Sequence, residues 1–360
     1  LQGAVKALLT LLQEATMTFG LLLTALLAPA PVAEHASLDV KAYRTWKIEL
    51  PADPFQKVSG AIPIPHAGGA GFVVEPRGQG LAIDTDGDGE VDRELNGRKD
   101  PDTQVRHARV VLTGKATDGG ELRYPVRLKD EGAGWVWAAG GALVGDVGGV
   151  GLQIIDLDGN GSFHDVGRDA VVVGGTGVAQ FLGETIAVGD GLLRVTVEDG
   201  DRGLTIEPFD GATGTLDIAS EFGGKGVMLA AVVQSVDGRQ SFELGAHDGK
   251  VTVPAGSYRL VTAALGLGDA RVDVDPARMK AVQVSGDATA KLGWGAPIRA
   301  TFDYERDGGE LTFDPRQVSY IGAGGERWIG WNPIGKSPKF QVKEKDTGDV
   351  LVDVVFPGSC

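Results

Sequence analysis

The residues that can do chemistry in this chain gather in two acidic loops. The first, IDTDGDGEVD, runs from Ile83 to Asp92 and spaces Asp84, Asp86 and Asp88 two residues apart, with Gly89 next. Calcium takes six to eight hard oxygen ligands. Carboxylates at loop positions 1, 3 and 5, with a glycine at position 6 for the sharp turn, wrap around one point. The carbonyl of Glu90 falls at position 7, and Asp92 at position 9 binds directly or through water. The second loop, IDLDGNGSFHD from Ile155, repeats the register with Asp156, Asp158 and Asn160, then Gly161 and the carbonyl of Ser162. Asp165 or Asp169 is left to finish its shell. Asp and Gly also favour plain turns, and one such stretch reads equally well as a solvated loop. Two in one register, with carboxylates that repel each other unless a cation lies between them, point to Ca2+.

The first loop resembles those of EF-hands, dockerins, thrombospondin type 3 repeats and the FG-GAP blades of integrin-like propellers. Its Asp at position 9 is most similar to the thrombospondin and FG-GAP forms. Position 12, where an EF-hand carries its bidentate Glu, is Leu95 in the first loop and Gly167 in the second. Both loops therefore depart from the EF-hand, and closure of the shell must come from elsewhere. The resemblance implies ions that lock long loops, a structural role. As a whole the chain is similar to secreted bacterial proteins rich in Asp-Gly calcium loops, and that likeness names no reaction.

Other reactive groups are sparse. The five histidines, His35, His66, His107, His164 and His247, form neither an HExxH motif nor a close pair. There is no GxSxG elbow, and the glycine-rich run from Gly322 to Glu326 lacks the Lys-Ser/Thr of a phosphate loop. The lone cysteine, Cys360, permits no intrachain disulfide. No catalytic reaction is assignable. The alternative is a carbohydrate-binding module or a glycoside hydrolase with a carboxylate pair spread over strands. Trp135 and Trp137 alternate on one strand, and Trp294, Trp328 and Trp331 crowd the C-terminal half. Exposed, they would stack on sugar; buried, they plug cores, which is the reading their type favours.

The elements that must position these loops read as strands. Two-residue alternation recurs in HARVVLTG at 107, ELRYPVRL at 121, LLRVTVE at 192, LTIEPF at 204 and KVTVPAGSYRLV at 250. RATFDYERDGGELTFD at 299 and KFQVKEKDTGDVLVDVVF at 339 predict hairpins. The second loop runs into AVVV, so strands rather than paired helices flank it. The expected fold is all-β, an antiparallel β-sandwich architecture in two domains, 34–220 with both acidic loops and 221–360 as an immunoglobulin-like or prealbumin-like sandwich. Thr252 to Val261, TVPAGSYRLV, resembles a pattern of prealbumin-like and carboxypeptidase-regulatory-like sandwiches.

Residues 1–33 read as an export segment. Phe19 to Val32, FGLLLTALLAPAPV, is an apolar run leaving through small residues and prolines. It is too short for a comfortable membrane span, and Lys6 is the sole cation before it. Leu1 and Met17 both remain open as the start, and the mature chain begins near Glu34. A secreted, periplasmic or cell-surface product follows, with no transmembrane span once that segment is removed. The net charge of −15 excludes nucleic acid and anionic membrane as expected partners, leaving an extracellular protein or polysaccharide. The 42% hydrophobic content suffices for a packed core, and the 56 glycines, lacking a three-residue period, mark tight turns rather than collagen.

Overall fold

A computed structural model describes residues 34–355, apart from 190, 199, 201, 202, 277 and 332–338. The export-type segment before Glu34 and Cys360 lie outside the described residues. The chain is all-β, and its sheets are mostly antiparallel. The sole helical element among the described residues is one 3-10 turn, Gly245–His247. No helix among them is long and apolar enough to cross a membrane.

Alternation accounts for the strands. In the ten-residue strands Arg106–Lys115 and Glu121–Asp130, Val110, Leu112, Tyr124, Val126 and Leu128 share the core face, while the intervening positions lie on the other face, where Pro125 is also buried. The two pair over their full length, from Glu121 opposite Lys115 to Asp130 opposite Arg106. They lie in a five-stranded sheet with Gln56–Lys57, Trp135–Ala139 and Arg98–Lys99. A second five-stranded sheet holds Asp39–Ala42, Gly141–Val147, Val150–Ile155, Ala170–Val173 and Gln180–Phe181.

Buried apolar side chains form two clusters, one from Leu38 to Ile206 and the other from Leu192 to Trp328. The second reaches back across residue 220. Strand Thr213–Asp217 lies between Lys250–Pro254 and Thr289–Lys291. The TVPAGSYRLV segment divides into two strands, Lys250–Pro254 and Gly256–Leu267, and the Tyr258 hydroxyl donates to the carbonyl of Pro254 across the bend. Both hairpins expected in the C-terminal region are present, Arg299–Asp307 with Glu310–Ile321 and Lys339–Lys343 with Val350–Val355. The second turns over residues 344–349, a wider loop than its sequence suggests.

Tryptophan follows the core reading. Trp137, Trp294 and Trp328 are buried and Trp135 is half-buried. Trp331 packs edge-on to Tyr320 and Trp328. Burial removes Trp137, Trp294 and Trp328 from any stacking surface, while Trp135 and Trp331 are half-buried.

Candidate metal centres

Each acidic loop closes a hairpin, and this explains its geometry. The first joins Gly80–Ile83 to Arg93–Leu95, with Ile83 opposite Arg93. Asp84 and Asp92 are therefore the first and last loop residues, side by side at the mouth. The second joins Val150–Ile155 to Ala170–Val173, with Ile155 opposite Ala170. Its mouth residues are Asp156 and Asp169. The glycine at position 6 sits at φ +89° in the first loop (Gly89) and +88° in the second (Gly161), a backbone that disfavours any side chain.

The opening aspartate of each loop organises the turn behind it. Asp84 Oδ1 accepts from the N–H groups of Asp86 and Gly87 at 3.1 and 2.7 Å, and Oδ2 from that of Gly89 at 3.1 Å. Asp156 Oδ1 accepts from Gly159 and Asn160 at 2.6 and 3.2 Å, and Oδ2 from Gly161 at 2.7 Å. Bonds from positions 4 and 6 are thus common to both. Local sequence dictates this fold, because an Asp side chain takes the turn N–H groups that a strand ladder leaves unpaired.

In each loop three carboxylates place an oxygen within 4.8 Å of the others: Asp84, Asp86 and Asp88 in one, Asp156, Asp158 and Asp169 in the other. Oxygens on opposite sides of a bound calcium lie about 5 Å apart, so each triad is tight enough to surround one ion. Both triads are able to hold a metal ion.

Their environments differ. In the first, Asp84 is 1% exposed, while Asp86 and Asp88 are exposed to solvent. Asp86 accepts from the N–H of Asp88 at 3.3 Å and Asp88 from that of Glu90 at 2.8 Å. Glu90 itself is exposed, beside the turn. Asp92 stands apart from the triad. The Thr85 hydroxyl donates to its carboxylate at 2.8 Å from Oδ2 and 3.0 Å from Oδ1, and the Thr85 N–H at 3.3 Å.

The second triad is interior. Asp156 and Asp169 are both 0% exposed. The Tyr124 hydroxyl donates to Asp156 Oδ2 at 2.8 Å. Asp169 accepts from the N–H groups of Leu157 and Asp165 at 3.2 and 2.8 Å. Both oxygens of Asp158 are buried and accept no hydrogen bond. Arg168 Nη2 lies 2.8 Å from Oδ2, an ion-pair approach outside hydrogen-bond geometry, from a side chain that is 68% exposed. The backbone of Asp158 is tied down by Gln56, whose side-chain amide donates to its carbonyl.

Burial, followed by the charge of its neighbours Asp156 and Asp158, pushes the Asp169 carboxyl up to about 9. Burial pushes Asp156 up to about 6, against the lowering effect of the bonds from Tyr124, Gly161 and Gly159. The Tyr124 hydroxyl is held well above its usual range by burial and by Asp156. Two carboxylates about 5 Å apart repel by roughly 3 kcal/mol at an effective dielectric of about 20. A metal-free interior triad therefore keeps protons, and a divalent cation would displace them.

The remaining sequence candidates fall outside the triads. Asn160 donates to Asp165 Oδ2 at 2.7 Å and accepts from the N–H of Ser162 at 2.8 Å, so Asn160 and Asp165 bond to each other. Ser162 Oγ lies 3.0 Å from His164 Nδ1. Of the two closing candidates in this loop, Asp169 joins the triad. Sequence reasoning missed Tyr124, Gln56 and Thr85. Tyr124 sits in a plain alternating strand, and only its inward phase hints that its hydroxyl needs a buried partner.

No protein-family model, curated protein or solved structure matches this chain.

Proposed function

We propose that this chain is a secreted or cell-surface β-protein whose acidic loops bind calcium, and that its role is structural or interactive rather than catalytic. The observation that carries the reading is the Asp158 carboxylate, whose two oxygens are buried beside Asp156 and Asp169 and accept no hydrogen bond, with the exposed Arg168 as its sole ion-pair partner among the described residues. Three crowded carboxylates cost several kcal/mol unless they are neutralised, and one cation on an exposed arginine offsets one of the three charges. Calcium supplies the missing charge and takes carboxylate and carbonyl oxygens in an irregular shell. Magnesium, with its tight octahedron and firmly held water, suits a loop of unequal donors poorly. Zinc favours nitrogen and sulfur, which the triads lack.

The ion's work here is to fix loops. The second loop spans 14 residues between paired strands, residues 156–169, and only Leu157 and Phe163 in it join the core. Binding to the folded state alone stabilises it by mass action, about 2.7 kcal/mol at a hundredfold excess over the dissociation constant. Export is consistent with this use, since calcium modules outside cells bind at about 10⁻⁴ to 10⁻³ M. The test is calorimetric melting of the chain in calcium, in magnesium and in chelator. The expected order of melting temperature is calcium above magnesium above chelator. Three superimposed curves would reduce both loops to solvated turns.

A further inference from the structure

Strand register brings together a basic face that no linear reading of the sequence reveals. Residues directly opposed in antiparallel strands place their side chains on the same side of the sheet. Arg98 opposes His107, His107 opposes Lys129, Lys129 opposes Val136, and Val136 opposes Lys57. One step along, Arg109 opposes Arg127. Five cations and a histidine thus share one face of one five-stranded sheet, with Lys57, Arg98, His107 and Arg109 exposed and Arg127 and Lys129 partly covered, in a chain of net charge −15. Strands lie about 4.8 Å apart, so the row from Lys57 to Arg98 runs about 19 Å.

Like charges directly opposed across strands destabilise a sheet, and Arg109 against Arg127 is such a pair. The protein has 49 acidic residues with which to neutralise it. Yet among the described residues no carboxylate forms an ion pair with Arg98, Arg109, Arg127 or Lys57. The acids that approach are few. Glu131 meets Lys129 at 2.8 Å from an exposed position, Asp53 acts on Arg127 and Asp100 on His107. Arg127 is held under a cover of aromatic rings, its guanidinium 3.8 Å from the centre of Trp46 and 4.9 Å from that of Phe55, with Nε donating to the carbonyl of Ala139. Burial pushes it down to about 10.

We propose that this face binds an extended polysaccharide bearing carboxylate or sulfate groups. Charge complementarity selects a polyanion, and the length of the row selects a chain rather than a single ion. Guanidinium forks favour planar or tetrahedral oxyanions. The aromatic rings argue against nucleic acid. Single-stranded nucleic acid gains affinity from bases stacked on open rings, whereas here Arg127 lies over Trp46 and Lys129 over Phe55 at 4.1 Å. The closely spaced charges of a duplex would also meet stronger repulsion from the acidic body. None of these six residues belongs to either acidic loop.

Binding of the full chain to hyaluronate and to dextran sulfate tests the proposal, with neutral dextran and single-stranded DNA alongside, in calcium and in EDTA. At least one charged polysaccharide is expected to bind in both media, and more weakly as salt rises. Arg98→Glu with Arg109→Glu should weaken that binding about tenfold or more, through loss and reversal of two charged contacts to the polyanion. Lys57→Gln with Arg109→Gln, both exposed positions, should weaken it in the same direction with less risk to the fold. Arg278→Glu, an exposed arginine elsewhere, should leave it unchanged, and circular dichroism checks that each variant is folded. The proposal is overturned by no binding to either polymer, by tighter binding to DNA, or by folded variants that bind as the parent does. Binding seen in calcium alone, with the fold intact in EDTA, also overturns it, because the anion would then sit on a loop-held cation. Failure of the calcium reading shows instead as unchanged melting curves and leaves this assay intact.

Discussion

The two acidic loops share a register and a turn geometry, yet they present opposite electrostatic problems. In the first, Asp86 and Asp88 face water and each accepts a turn N–H, so the metal-free loop is comfortable. In the second, Asp156 and Asp169 are fully buried, and Asp158 accepts no hydrogen bond on either oxygen and meets only the exposed Arg168 as an ion pair. The same motif is thus tolerable as a solvated turn in one place and short of counter-charge in the other, where one exposed guanidinium, that of Arg168, faces three crowded carboxylates. What separates them is not the motif but the surroundings: Tyr124 and the core press on the second loop, and water bathes the first. A loop's dependence on its ion follows from desolvation more than from ligand spacing.

The largest expected effect is at Asp158. Asp158→Asn removes a charge from the interior triad at nearly constant shape. Calcium-induced stabilisation should fall by most of the second site's share, about 5 °C if that share is near 2.7 kcal/mol. The metal-free protein should melt at the same temperature or higher, because the buried repulsion that is removed outweighs the lost ion pair with the exposed Arg168. Asp86→Asn in the first loop should remove a smaller part of the calcium gain and leave the metal-free melting point unmoved. Differential scanning calorimetry in calcium and in chelator reads both. A metal-free protein destabilised by Asp158→Asn would show that this carboxylate is already satisfied and would erase the contrast.

Next in size is the pH dependence. Asp156 and Asp169 are raised to about 6 and about 9, above an unfolded value of about 3.9. Between about pH 4 and 9 the folded metal-free state therefore binds more protons than the unfolded one, and its stability falls as pH rises. Calcium needs those protons gone, so its stabilising effect should grow over the same window. Melting curves at pH 5 and pH 8 should show a larger calcium gain at the higher value. Asp158→Asn should flatten the difference, whereas Asp86→Asn should not. An equal gain at both values in the parent would mean that the interior triad is not the dominant site.

How much of this is legible in the sequence depends on the range of the interaction. Strands such as Arg106–Lys115 and Glu121–Asp130 announce themselves by alternation. The opening aspartates and their glycines are read within six residues. The closing ligand is not. Asp165 and Asp169 look equivalent along the chain, and only the pairing of Ile155 with Ala170 puts Asp169 at the mouth. Tyr124 lies 32 residues from Asp156 and meets it through packing between sheets. The basic face is hidden for the same reason: Arg98, Arg109 and Arg127 become neighbours through register alone. Tryptophan type predicted the burial of Trp137, Trp294 and Trp328, because size and apolarity act without regard to partner, while Trp135 and Trp331 are half-buried.

The smallest effect is also the sharpest test of what divides the loops. Asp92 and Asp169 occupy matching places at the mouths of their hairpins, but only Asp169 joins its triad. The residue after the opening aspartate decides this. Leu157 offers Asp169 only its N–H, whereas Thr85 adds a hydroxyl that holds Asp92 at 2.8 and 3.0 Å. Thr85→Val keeps the shape of the side chain and removes that hydroxyl. The metal-free cost should be about 1 kcal/mol or less, since the bond is exposed and water replaces it. Asp92, held then only by the N–H at 3.3 Å, is able to swing toward Asp84, Asp86 and Asp88 and supply a fourth carboxylate. Each added charged ligand tightens a calcium loop, so affinity at the first site should rise several-fold. The measurement is isothermal titration in an Asp158→Asn background, which silences the second loop and leaves one site to read. Unchanged or weaker binding would mean that Thr85 does not withhold Asp92, and that solvent exposure alone accounts for the difference between the loops.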